Sequence, residues 1–278
     1  MPSAERQQSV FLALALALSA AASGCPRPGC PTTPIQDPEH ALRLHRSLRR
    51  TVRLVRAEAR VDQRGAEGRV RGTVLMLLER PDRLRFDALT QFGPAAVLTS
   101  DGERFQLLDL REDRFLEGPA SAENIARLLG VAMRGEEVAR LLVGDSPRLA
   151  GTPTMSCGRG GYRITFEEGD VRQEIVLEAR DEDAAPGAQY LRLHRSELFN
   201  AEGRTLWRAT FDDYRVVRDP ADEEGRGVAL PHVILFEDPM HDADALVRFR
   251  SIEIATEAPP DGAFVQTAPP GVRVERVP

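Results

Sequence analysis

This 278-residue chain contains three cysteines, five histidines and no lysine, which narrows the chemistry open to it. Without lysine there is no Schiff-base nucleophile and no phosphate-binding loop of the lysine type. His40, His45, His194, His232 and His241 show none of the spacings with Cys or Glu that ligate a metal. The run His241-Asp242-Ala243-Asp244 reads as solvated charge in a polar loop. Cys157-Gly-Arg-Gly-Gly161 lacks the residues of a phosphate loop and reads as a flexible turn. No G-x-S-x-G occurs, and Cys157 has no base beside it in sequence. No catalytic residue, metal or cofactor is assigned, and the chain is expected not to be an enzyme.

The chemistry that remains is modification. An apolar run from Val10 to Ala22 follows a polar start. It is short for a bilayer span and has the length of a signal-peptide core. It ends in Ala22-Ser23-Gly24-Cys25, which resembles a bacterial lipobox, with Ala22 where Leu is usual. That resemblance implies a signal peptide over 1–24 and lipidation of Cys25. Pro26 stands where an inner-membrane retention signal would place Asp, so the outer membrane is the expected location. Residues 25–37 are rich in Pro, Thr and Gly and read as a tether. The periplasm permits a Cys30–Cys157 disulfide, but two free thiols are the expectation.

Acidic residues outnumber basic ones 43 to 37, for a net charge of −6, which argues against a nucleic-acid partner. Apolar residues make up 42 %, enough for a core. Residues 38–278 read as one domain. A helix is expected from Asp37 and Pro38, on a stripe of Ala41, Leu44 and Leu48. Strands follow at 70–78, 83–88, 95–99, 104–110 and 114–117, with apolar and polar residues alternating as in an antiparallel sheet. Two short helices come next, carrying Ile125, Leu128 and Leu129, then Val138, Leu141 and Leu142. Strands resume after Cys157 and continue to a loop-like tail with one last short strand.

The fold expected is mainly β: an incomplete antiparallel barrel of roughly ten or more strands. The short helices must pack on something apolar, and the concave face of the sheet is available. Val70, Val74, Met76, Leu84, Phe86, Phe105, Trp207 and Phe211 are the inner-face residues. They would line a cavity under the helices or fill a solid core. Gln91-Phe92-Gly93-Pro94 reads as a hairpin tip. Gly93 suits it, while Phe92 is an apolar ring where turns are usually polar. Phe92 would either fold back over the rim or stand exposed.

"RPDRLRFDALTQFG", "NIARLLGVAM" and "EEVARLLVGDSP", in this order, resemble the LolB-type outer-membrane lipoproteins, which group with LolA as periplasmic carriers built on an unclosed β-barrel. The ending "PPDGAFVQTAPPGVRVERV" is similar to that of related envelope lipoproteins. The resemblance implies a protein held on the outer membrane, facing the periplasm, that binds acyl chains of lipoproteins or another lipid and receives them from a LolA-like carrier. It also implies that Phe92 and Gly93 form a membrane-inserting tip, although Gln91 stands where the family has Pro. The alternative is a scaffolding envelope lipoprotein of the same fold without cargo.

Overall fold

The computed structural model describes residues 29–278 other than 48, 66, 67, 92, 131, 181–184, 221–224 and 226, and excluding the side chain of Leu128. Helix α1 (Pro38–Ser47) leads into strands β1 (Leu54–Gly65), β2 (Gly68–Glu79), β3 (Arg83–Thr90), β4 (Gly93–Ser100), β5 (Arg104–Asp109) and β6 (Arg114–Pro119). Helices α2 (Ala122–Leu129) and α3 (Gly135–Leu142) interrupt the sheet. The chain then forms β7 (Thr154–Gly158), β8 (Gly161–Glu168), β9 (Val171–Ala179), β10 (Leu191–Phe199), β11 (Thr205–Val217), β12 (Val228–Asp238) and β13 (Ala243–Ala255), and ends in β14 (Arg273–Arg276).

All fourteen strands form one sheet, in the order β14-β6-β5-β4-β3-β2-β1-β13-β12-β11-β10-β9-β8-β7. The sheet is an incomplete barrel, with β14 and β7 as its edges. Every pairing is antiparallel except β14 on β6. Connections therefore alternate between two ends. The turns 80–82 and 159–160 and the start of β1 lie at one end, here the base. The β1–β2, β3–β4 and β12–β13 hairpins lie at the other, here the rim.

β1 has no counterpart in the sequence reading, although it joins the two halves of the sheet through β2 and β13. Its inward residues Val55, Ala57, Ala59 and Val61 are mostly small, and charges separate them, so the alternation is faint. β7 likewise begins before Cys157, not after it.

The helices cap as their sequences dictate. The Asp37 carboxylate accepts from the backbone N–H of Glu39 (3.0 Å) and His40 (3.2 Å) at the start of α1. Ser121 Oγ accepts from Asn124 N–H at 3.2 Å, and α2 stops at Gly130, which takes the left-handed conformation at φ 67°. Gly135 opens α3 against the β2–β3 turn. A Cβ there would stand 2.9 Å from the Asp82 carbonyl oxygen, so only glycine lets the helix come this close.

The core lies on the concave face. Leu84, Phe86, Leu98, Phe105, Ile164, Leu177, Leu193 and Phe211 are all buried there, and α1 closes the base with Ala41 and Leu42. The tail crosses the opposite, convex face. Gln106 and Gln266 exchange two hydrogen bonds (2.7 and 2.8 Å), and Phe264 is buried under the Arg83 guanidinium at 4.5 Å.

Cys30 and Cys157 form a disulfide, with Cα atoms 5.0 Å apart, so the expectation of two free thiols was wrong. The backbone explains the pairing. Gly160 N–H donates to the Gly29 carbonyl (3.0 Å), and Gln189 Nε2 donates to the Thr33 carbonyl (2.6 Å). Ile35 N–H donates to the Tyr162 hydroxyl (3.0 Å). What read as tether is, from residue 29 on, fastened along the base.

Candidate functional site

Between the concave face and the two helices lies a cavity of about 140 Å³. β1 supplies Val61 and Gln63, β2 supplies Val70, Gly72, Val74 and Met76, and β3 supplies Phe86 and Ala88. Ile234 and Phe236 of β12 and Ala245 and Val247 of β13 form the facing wall. Leu129, Met133, Val138, Leu141 and Leu142 form the roof. The wall residues recur every second position because alternate side chains share a face of a strand. The roof follows from the i, i+3, i+4 spacing of the helices.

The cavity occupies the rim half of the barrel. Val70, 52 % exposed, marks where it meets solvent. Among the described residues Gln63 is the sole polar side chain on the wall, and it packs under the C-terminus of α2. A Cβ on Gly130 would strike its side-chain nitrogen at 2.0 Å. The left-handed Gly130 thus both ends the helix and leaves room for Gln63.

Of the inner-face residues singled out from sequence, Val70, Val74, Met76 and Phe86 lie on the cavity wall. Leu84, Phe105 and Phe211 do not; each is 0–1 % exposed within the packed core. Leu84 is covered by the start of α3, where it lies 3.4 Å from the Cβ position of Gly135. Trp207 is also off the cavity wall and stacks beside it on Phe236, with ring centroids 6.1 Å apart. On the helices, Leu129, Val138, Leu141 and Leu142 face the cavity, Ile125 is buried in the core, and the Leu128 side chain lies outside the described residues. Gly93 opens β4 at φ 116°, a backbone that favours glycine. Phe92 and Cys25 lie outside the described residues.

The wall residues that sequence reasoning did not single out come from β1, β12 and β13. Ile234 and Phe236 carried a legible signal, since they alternate on one strand. Ala245 and Val247 are too small to stand out.

A second polar centre lies at the base. His45 is 1 % exposed, and its Nδ1 is 3.2 Å from the Leu191 carbonyl oxygen. Arg49, also buried, donates from Nη1 to the His45 carbonyl (2.9 Å) and from Nε to the Val143 carbonyl (3.1 Å). Burial, reinforced by the Arg49 charge, lowers the His45 pKa to about 4. Burial pushes the Asp145 carboxyl up, but the His45 ring, with Nε2 3.6 Å away, and the Arg148 guanidinium at 3.3 Å hold it well below the usual range. These groups bond to backbone and to one another. They fasten α1 to the segment after α3 and to β10. Among the described residues no cluster of three or more His, Cys, Asp or Glu could hold a metal, and no helix is long and apolar enough to cross a membrane.

No family model matches the chain, and no curated protein matches it in sequence. Solved structures share its fold. A LolA superfamily protein from Nitrosomonas europaea is 10 % identical with a TM-score of 0.52, over 82 % of this chain and 97 % of that one. A putative outer membrane lipoprotein-sorting protein domain from Vibrio parahaemolyticus is 11 % identical with a TM-score of 0.53, over 81 % and 94 %. A DUF1329 family protein from Desulfovibrio piger is 11 % identical with a TM-score of 0.51, over 81 % and 94 %. The fold is LolA-like, an incomplete β-barrel similar to these structures.

Proposed function

We propose that this protein is a LolB-like carrier, anchored to the outer membrane through a lipidated Cys25, that takes the acyl chains of lipoproteins or a similar lipid into its cavity and passes them to the membrane. The observation that carries the reading is the cavity itself: almost wholly apolar, reaching solvent near Val70, and roofed by two short helices. Each buried CH₂ contributes about 0.8 kcal/mol, so an acyl chain needs no polar recognition to enter. Release needs only a competing apolar medium, and no covalent step is involved. The β3–β4 hairpin stands at the rim beside the cavity, which suits Phe92 to touch the body with which the chain is exchanged. A LolA-like carrier is the donor in this scheme.

The test is stoichiometric binding of a fluorescent acyl probe by delipidated protein, followed by transfer to liposomes. The expected result is one-to-one uptake, with Phe92→Glu retaining uptake and losing transfer. Absence of binding would leave a scaffolding lipoprotein of the same fold as the better reading. Equal transfer by mutant and wild type would remove Phe92 from the mechanism.

A further inference from the structure

The base of the barrel, far from the cavity mouth, carries an unusual concentration of charge. Residues 40–56 include six arginines and no carboxylate, in a chain of net charge −6. Arg49 is buried, Arg43 pairs with Asp37 and Arg56 pairs with Glu253. Arg46, Arg50 and Arg53 are exposed, and among the described residues none of them has a carboxylate within ion-pair distance. Arg50 and Arg53 border a groove of about 360 Å³ against the Arg80–Pro81 turn and Arg140 of α3. Its one acid, Glu136, is engaged by Arg140 at 2.7 Å. The Arg80 side chain donates to the backbone carbonyls of Arg49 and Val52, which keeps its guanidinium at the groove wall.

The N-terminal segment is fastened at this same end by the Cys30–Cys157 disulfide and the Gly29, Thr33 and Ile35 backbone contacts. Four residues lie between Cys25 and Cys30, five steps of chain with a reach of at most about 18 Å. The barrel is taller: β1 alone has 12 residues, roughly 40 Å along the strand. A bilayer holding Cys25 therefore has the base within reach, and meets the rim only when the barrel tips over.

We propose that the arginine-rich base is a docking face for the phosphate headgroups of anionic phospholipid, which holds the barrel upright on its own membrane with the cavity mouth turned away, in the pose that receives cargo. The inference rests on the lipid-anchored reading above. Juxtaposed basic residues near a lipid anchor add their attraction to that of the acyl chains. An upright pose leaves the mouth and the β3–β4 hairpin open to an incoming donor.

The experiment places full-length lipidated protein in phosphatidylglycerol or phosphatidylcholine vesicles. A donor dye is attached at Ser47→Cys on α1 or at Met240→Cys in the rim turn, and a headgroup acceptor dye reads the distance. On anionic vesicles the Ser47 site should transfer energy more efficiently than the Met240 site. Arg50→Glu/Arg53→Glu should shrink the difference between the two sites to what the tether alone imposes, the value seen on phosphatidylcholine. The full chain carrying Cys25→Ser should bind anionic vesicles about 25-fold more weakly once both arginines are reversed. Equal transfer from both sites on anionic vesicles would overturn the proposal, as would indifference to vesicle charge, which would assign the face to an acidic protein instead. Unchanged acyl-probe uptake by the double variant is the expected sign of an intact fold. Absence of docking in the wild type, with its uptake intact, refutes this pose and leaves the carrier reading standing. Failure of the wild type to take up probe, with orientation preserved, refutes only the carrier reading.

Discussion

Ala88 and His45 show how single residues set the two properties this fold needs, an open cavity and a closed base. Ala88 lies on the cavity wall between Val74 of β2 and Ala96 of β4. Ala88→Leu should fill part of the space without touching a polar group. Acyl-probe affinity is expected to fall at least about ten-fold, while the unfolding free energy from urea denaturation changes by less than about 1.5 kcal/mol. His45 is kept neutral by burial, with a pKa of about 4 against 6.5 in an unfolded chain. The unfolded state thus binds the extra proton first as pH falls. The stability that comes from the neutral ring is complete above pH 6.5 and drains away between 6.5 and 4. Urea denaturation at a series of pH values should show this loss, and His45→Gln should flatten the curve across that window. The downward-shifted Asp145 adds a further loss only below the ordinary carboxylate range.

At the scale of elements, the disulfide is the feature with the largest single effect. It joins residues 127 apart, and the chain-entropy estimate for such a loop is about 4–5 kcal/mol. Cys30→Ser should lower the unfolding free energy by up to that amount and free the N-terminal segment to proteolysis ahead of residue 33, with the sheet otherwise intact. Most elements were legible in sequence, because alternation at Leu84, Phe86 and Ala88, or at Tyr162, Ile164 and Phe166, is strong enough to define a strand and its inward face. β1 was not, since Ala57 and Ala59 carry little hydrophobic signal. The cost fell on the site, for β1 brings Val61 and Gln63 to the wall. Choosing lining from core among the inward residues was beyond sequence. Phe86 and Leu84 sit two apart on one strand, yet only the position of Gly135 decides that α3 covers the second.

For the whole molecule, an apolar cavity at one end and a basic face at the other predict opposite responses to solution conditions. Acyl uptake should have a negative heat-capacity change in calorimetry and should barely respond to salt. Attachment to anionic vesicles should weaken as salt rises, since exposed charges are screened within about 10 Å at 0.1 M. Uptake and attachment that weaken together with salt would show that the two ends are not independent.

The final strand has a consequence for how such a molecule is made. β14 lies parallel on β6, and Arg276 reaches Glu117 across 159 residues of chain at 3.1 Å. A polypeptide that emerges from a translocon with its N-terminus leading presents β6 early and supplies its neighbour last. Until then β6 is a bare edge, able to pair with the same strand of another unfinished copy. On the proposed route to the outer membrane, folding is therefore a race between completion and association, and a holding chaperone would find its clearest handle on residues 114–119.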